Sequence, residues 1–527
     1  MCDRHKARVH TALPSLQDRD TDASDHATSM QKPTPVPPSI APVRATWRSP
    51  RFWATAALLA GPVLTVVGSW YLRVYFGPVS VDQLLFHANE GGLGWADAKA
   101  LWRAVRSVLL WALLTLALTA LHLRLRARSR GLLWVALLGA SGLSVATTLK
   151  PGCADPDSGD AIAQWYVDPR AQRVTQVGPP PDLLLVYVES LDAAYAGKRA
   201  FGAPLAPQLA AWRAAHTRFG RLQMLDGASW TMAGLFSSLC GLPLQSVGLL
   251  TAKSTDRAPR FFADGQCLTD WMAAQGWELS FYGGASLDFA GKGRFFADHG
   301  VARRFGRDEW QALGVPVPEE GWGLADTALV QQVIRQWDRP RLGPHARASI
   351  VLTVDTHDPH GNPDPDCPMP VASDDDEARM RHALHCTDAA VQRLVQAFVA
   401  RRDGRAKLVW VMGDHLSKAH PLMPALEAAA AVRPRGVFHA VARWDAQGEP
   451  LPVPLPGGTE RQFTHLDVAP TLAQLLGLRW QPQGDRLGLG RSLLAEPGRG
   501  TLLEQHGLTR LNQRLGCPSP LFASLWT

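Results

Sequence analysis

KLVWVMGDH, residues 407–415, decides how the rest of the chain is read. Five apolar residues run without a polar break, then a glycine, then Asp414 and His415. A strand with one wet face would alternate, so this one is buried on both faces. Placing an aspartate and a histidine just beyond a buried strand is costly unless both find partners. Three other runs end in the same manner. LLLVYVES (183–190) ends at Glu189 and Ser190, and WELSFYGG (277–284) ends at Gly283 and Gly284. SIVLTVDTHDPH (349–360) ends in Asp355, His357 and His360. Helical patterns separate the runs, which predicts a mainly parallel sheet covered by helices on both faces. In such sheets ligands bind beyond the carboxyl ends of the strands.

Glu189, Asp414 and His415 are oxygen and nitrogen donors at two of those ends, a set suited to a divalent cation with one further ligand. Glu189 alone reads as a helix cap; four strand ends together favour a site. DGASWTMAGLFSS (226–238) supplies Thr231 at the start of an apolar helix. Its hydroxyl is either an N-cap or a nucleophile. A metal ligand set nearby favours the second, because coordination lowers a hydroxyl's pKa. The helix N-terminus adds free amides suited to a phosphate. Lys292, in GGASLDFAGKGRFF, reads equally as a phosphate contact or a solvated lysine. His357 is a candidate for steadying a phosphoryl oxygen or protonating a leaving group. The acidic run at 374–377 reads as a solvated loop.

The chain has 527 residues, 46% of them hydrophobic and 19% charged, with a net charge of +7. Much of the basic excess flanks apolar spans, which argues for membrane orientation rather than nucleic-acid binding. Three spans are expected, at about residues 52–76, 107–123 and 131–149, each near the ~20 residues that cross a bilayer. Arg44, Arg48 and Arg51 precede the first; Arg124, Arg126, Arg128 and Arg130 separate the second from the third. Basic loops stay in the cytoplasm, so everything after about Lys150 is expected outside. Residues 1–45 read as a disordered cytoplasmic tail, 46–150 as the membrane region, 151–180 as a linker and 181–527 as the exported domain. Six of the seven cysteines then face an oxidising space, and Cys367 with Cys386 is the first pairing expected.

LLLVYVESLD, DGASWTMAGLFSSLCGLPL, YGGASLDFAGKGRFFADHGV, GWGLADTAL, LTVDTHDPHG, VMGDHL and DRLGLGRSLL, in that order, resemble the phosphoglycerol transferase I family of osmoregulated periplasmic glucan biosynthesis. That family is akin to lipoteichoic acid synthase and the phosphoethanolamine transferases within the alkaline phosphatase/sulfatase superfamily. VDQLLFHANEGG (81–92) is similar to the family's segment after its first span. The resemblance implies an α/β fold, a mixed sheet sandwiched by helices, behind three transmembrane helices. It implies Glu189, Thr231, Asp414 and His415 as metal ligands, Thr231 as nucleophile, and Lys292, Trp230 and His357 on the substrate. It implies a divalent metal, manganese first and zinc or magnesium as alternatives. The donor would be phosphatidylglycerol, the acceptor a glucan, and the location a bacterial inner membrane with the catalytic domain in the periplasm. Tyr282 and Gly284 depart from the histidine and acidic residue with which the synthases contact glycerol phosphate.

Several rivals are weaker. A phosphoethanolamine transferase differs only in its head-group pocket. A formylglycine sulfatase needs a C/S-x-P-x-R pattern, which Cys240 and its GLPL do not provide. A non-catalytic binding protein predicts a lost nucleophile or ligand, and none is lost. A transporter predicts charges deep within the spans.

Overall fold

In a computed structural model, residues 47–76, 79–80, 83–84, 98–150, 153, 159–245, 260–318, 321–341, 343–373, 375–456, 458–496 and 498–526 are described. The expected tail and most of residues 81–92 lie outside them.

Three helices come first: α1 (Pro50–Phe76), α2 (Ala98–Arg124) and α3 (Ala127–Thr148). Each contains a stretch long and apolar enough to cross a membrane. The second begins well before the expected 107, because its first turns are amphipathic and escape a hydropathy reading while still favouring helix. α1 packs on both others. Trp111 Nε1 donates to the Ala60 carbonyl at 2.9 Å, and Ser141 Oγ to the Pro62 carbonyl at 3.0 Å. Arg130, from the basic loop, donates to the carbonyls of His122 and Leu125, both at 3.0 Å, capping the end of α2. Val79–Ser80 pairs in parallel with Leu149–Lys150, so the exits of α1 and α3 lie side by side.

The remainder is built on a seven-stranded sheet. Its strands are β1 (Asp182–Val188), β2 (Glu278–Gly283), β3 (Arg303–Phe305), β4 (Arg347–Leu352), β5 (Lys407–Gly413), β6 (His439–Trp444) and β7 (Pro450–Leu451). The spatial order is β7-β6-β5-β1-β4-β2-β3. The five from β5 to β3 are parallel, and β6 and β7 add antiparallel at one edge. Leu183, Leu185 and Tyr187 enter one core cluster, whereas Leu184, Val186 and Val188 enter the other. The unbroken apolar runs therefore pack on both faces, as a covered parallel sheet requires. Helices α4 (Thr231–Cys240), α5 (Leu268–Ala274) and α9 (Val468–Leu475) cover the first face. Helices α7 (Asp326–Trp337) and α8 (Asp376–Ala400) cover the second. A short α6 (Lys292–Asp298) follows β2.

Two expectations are corrected. Residues 159–176, expected as linker, are folded. A helix spans Ala161–Trp165, and strand Arg173–Gln176 pairs with Leu478–Gln481. The described part of the acidic run, residues 375–377, forms the start of a helix rather than a loop. Asp375 caps α8 by accepting from the Ala378 amide at 2.8 Å, and Asp376 pairs with His360 at 2.9 Å. Carboxylates at a helix N-terminus complement its dipole. Disulfides join Cys153 to Cys517, Cys240 to Cys267 and Cys367 to Cys386.

Candidate active site

The parallel strands bring their carboxyl ends to one edge. Glu189 follows β1, Gly284 follows β2, the loop 353–360 follows β4, and Asp414 and His415 follow β5. Glu189 is 2% exposed and Asp414 fully buried. Ser190 adopts φ 54°, a left-handed turn that stops β1 immediately after Glu189. The backbone of that turn is held by Thr353 Oγ1, which accepts from the Glu189 amide at 3.0 Å, and by Thr356 Oγ1, which donates to the Glu189 carbonyl at 2.5 Å.

The Ser190 and His415 amides both donate to Asp414 Oδ1 at 2.8 Å. Asp414 Oδ2 is buried and has no hydrogen-bond partner among the described residues. His415 Nε2 stands 3.3 Å from Glu189 Oε1 and 3.6 Å from Asp414 Oδ2. Its Nδ1 lies 2.9 Å from the Leu416 carbonyl; donation there leaves Nε2 as the free ligand atom. One ligand atom from each of Glu189, Asp414 and His415 lies within 4.8 Å of the others. An orphaned carboxylate oxygen costs free energy unless something positive meets it, so this donor set fits a divalent cation. Two other clusters of ligand-type residues contain disulfide cysteines and are structural.

Electrostatics agree. Burial and the neighbouring Glu189 charge push the Asp414 carboxyl up to about 8. Burial works against ionising Glu189, but the His415 charge and hydrogen bond override it and hold that carboxyl below its usual range. Burial lowers His415, but the Asp414 and Glu189 charges outweigh it and raise the imidazole to about 9. Three buried ionisable groups perturbed together mark a candidate site.

Thr231 is not the cap of α4. Trp230 occupies that position in extended backbone, and no side-chain cap bond is made. The Thr231 hydroxyl instead donates to Glu189 Oε2 at 3.2 Å. Helix α4 approaches this closely because of Gly234: a Cβ there would stand 2.1 Å from the Asp414 carbonyl oxygen.

A cleft opens beside Thr231. Its lining includes Glu189, Gly284, Phe289, Lys292, Trp322 and His357. Lys292 is 3% exposed, and burial lowers its ammonium to about 8 against the pull of Glu189 and Asp414. His357 Nδ1 lies 2.7 Å from the Asp358 carbonyl. Glu189, Thr231, Lys292 and His357 therefore line one cleft, with Asp414 and His415 directly behind. Trp230 is buried in the core and does not line it. Tyr282 points to the other face of the sheet, where it stacks on Phe305 with ring centroids 5.4 Å apart. At Gly284 a Cβ would meet the Leu324 carbonyl oxygen at 2.3 Å, so no side chain fits there. Phe289 and Trp322 also line the cleft, and neither stands out in the sequence by its residue type or spacing.

This is an α/β protein with a cation-sized donor set and a threonine hydroxyl at one sheet edge. It belongs to the sulfatase family, whose pattern matches residues 181–478. Among its relatives, the phosphoglycerol transferase I of Xanthomonas axonopodis pv. citri is 28% identical over 466 residues, 85% of this chain and 62% of that protein. The phosphoglycerol transferase I of an Escherichia coli strain is 28% identical over 65% of this chain and 42% of its own length. The chain thus spans only about half the length of these relatives. A solved lipooligosaccharide phosphoethanolamine transferase A from Neisseria meningitidis is 16% identical, with a TM-score of 0.48, covering 83% of this chain and 87% of that one.

Proposed function

We propose that this protein transfers a phosphoglycerol group from phosphatidylglycerol to a glucan hydroxyl by double displacement through Thr231. The observation that carries the reading is the Thr231 hydroxyl, hydrogen-bonded to Glu189 and facing a cleft whose buried cation, Lys292, has no carboxylate hydrogen-bonded to it among the described residues. The relatives named phosphoglycerol transferase I support the same reaction class.

Glu189, Thr231, Asp414 and His415 would hold a divalent cation, manganese foremost. Its charge would lower the threonine hydroxyl's pKa. The Thr231 hydroxyl first loses its proton to water. The alkoxide oxygen then attacks the head-group phosphorus and the bond to the diacylglycerol oxygen breaks; the same alkoxide is what the second displacement releases. His357 donates a proton to that oxygen, and diacylglycerol leaves. Phosphoglycerol remains esterified to Thr231, with Lys292 holding a non-bridging oxygen. A glucan hydroxyl then attacks the same phosphorus, passes its proton back to His357, and restores the threonine. Glycerol suits the cleft better than ethanolamine. Among the described residues of its lining, Glu189, which faces the donor set, is the only carboxylate.

Three membrane spans would keep the domain beside its lipid donor, and the reading puts it on the periplasmic side of an inner membrane. Lys418, three residues beyond His415, donates to Gln83 Oε1 at 3.3 Å. That contact ties the loop after the ligands to the segment leaving α1.

The test is diacylglycerol release and label transfer to glucan from head-group-labelled phosphatidylglycerol, run beside phosphatidylethanolamine. Release from phosphatidylglycerol alone is expected. Release from phosphatidylethanolamine alone would replace the head group in this account.

A further inference from the structure

We infer that Trp322 is a positioning residue for His357, an inference that rests on the transfer reading above. The indole reaches the cleft through a close backbone contact. Gly321 and Gly323 take φ of +94° and +135°, values that favour glycine. A Cβ on Gly323 would lie 2.1 Å from the Gly284 carbonyl oxygen, and one on Gly284 would lie 2.3 Å from that of Leu324. The Leu324 amide donates to the Gly284 carbonyl at 3.0 Å. Two glycines thus allow residues 321–324 to lie directly on the turn that ends β2. The result is a half-buried tryptophan in the cleft lining.

The Trp322 and His357 ring centroids are 4.0 Å apart, with 37° between the planes. His357 is therefore held at one edge by its Nδ1 contact to the Asp358 carbonyl and on one face by the indole. Nε2 is left as the nitrogen available to the cleft. Phe289 meets Trp322 edge-on at 5.5 Å and 81°, and Lys292 Nζ lies 4.9 Å from the Phe289 ring centre. The two groups assigned to the phosphoryl unit, His357 and Lys292, thus stand at opposite ends of one aromatic pair. The pair fixes their spacing and presents an apolar wall to the reacting centre. A chain of packed rings has far less freedom than two separate polar side chains, so the spacing is set before the donor binds.

The test uses the full chain with phosphatidylglycerol and measures initial rates of diacylglycerol release for wild type, W322A, W322F, H357A and W322A/H357A. A misplacement of about 1 Å at a proton donor lowers turnover about 100-fold. W322A is expected to lose roughly that in kcat with little change in KM, and W322F to recover most of it because a ring face remains. In the H357A background W322A is expected to cost almost nothing, since coupled residues are not additive. Equal costs in both backgrounds, or a rise in KM alone, would overturn the inference. If W322A does not fold, W322L fills the same volume without a ring face and is expected to show the same kcat loss; full activity in W322L would overturn the inference. A folded wild type that releases no diacylglycerol would sink the transfer reading and this inference together. An active wild type matched by W322A would sink only the inference.

Discussion

Thr231 stands one residue inside α4, and its hydroxyl is spent on Glu189 rather than on the helix end. That choice separates a reactive group from a capping one. Lys292 makes a sharper prediction. Its ammonium, lowered to about 8 by burial, is charged at neutral pH and discharges as pH rises through that value. The free protein should therefore bind an anionic donor less well above about pH 8, seen as a fall in kcat/KM on the alkaline side. Arginine keeps its charge throughout this range. The K292R variant should lose that alkaline fall; a fall identical to wild type would show that Lys292 does not carry the effect.

At the scale of elements, Gly234 joins helix to site. A methyl group there would press on the Asp414 backbone, and the helix would have to retreat from the ligand loop. G234A is expected to destabilise the fold by about 1–3 kcal/mol and to weaken metal binding, measured by thermal denaturation with and without manganese. Unchanged stability and metal response would show that the helix has room to move. The strand ends were legible in the sequence for a plain reason. An apolar run closed by Glu189, or by Asp414 and His415, leaves those polar groups no place but a sheet edge. The burial of Lys292 was not legible, because it depends on how the turn after β2 leads into α6, of which Lys292 is the first residue. Trp322 was not legible either: a tryptophan between glycines reads as a loop until Gly284 is seen against Leu324. The fold of residues 159–176 was hidden because its partner strand, Leu478–Gln481, lies far along the chain; even the nearby Gln176 to Leu476 hydrogen bond spans 300 residues.

Over the whole molecule, the bond between Cys153 and Cys517 closes a separation of 364 residues. It ties the segment leaving α3 to the far end of the domain. Constraining so long a loop in the unfolded chain stabilises by about 2–4 kcal/mol. C517S should lower the unfolding temperature, and reductant should lower the wild type's further, since it also opens the other two bridges. No shift in either case would show that the terminal segment docks without the bridge. The pairing of Cys367 with Cys386 was readable from their closeness in sequence; the pairings of Cys240 and Cys153 were not, since four remaining cysteines allow three arrangements.

The proposed transfer turns on a covalent threonine. The direct measurement mixes metal-loaded protein with phosphatidylglycerol in the absence of acceptor, quenches rapidly, and maps the modified peptide by mass spectrometry. A phosphoglycerol ester on Thr231 in the wild type, absent in T231A and lost when glucan is added, is the predicted result. Diacylglycerol release with no adduct on Thr231, or undiminished release by T231A, would contradict it.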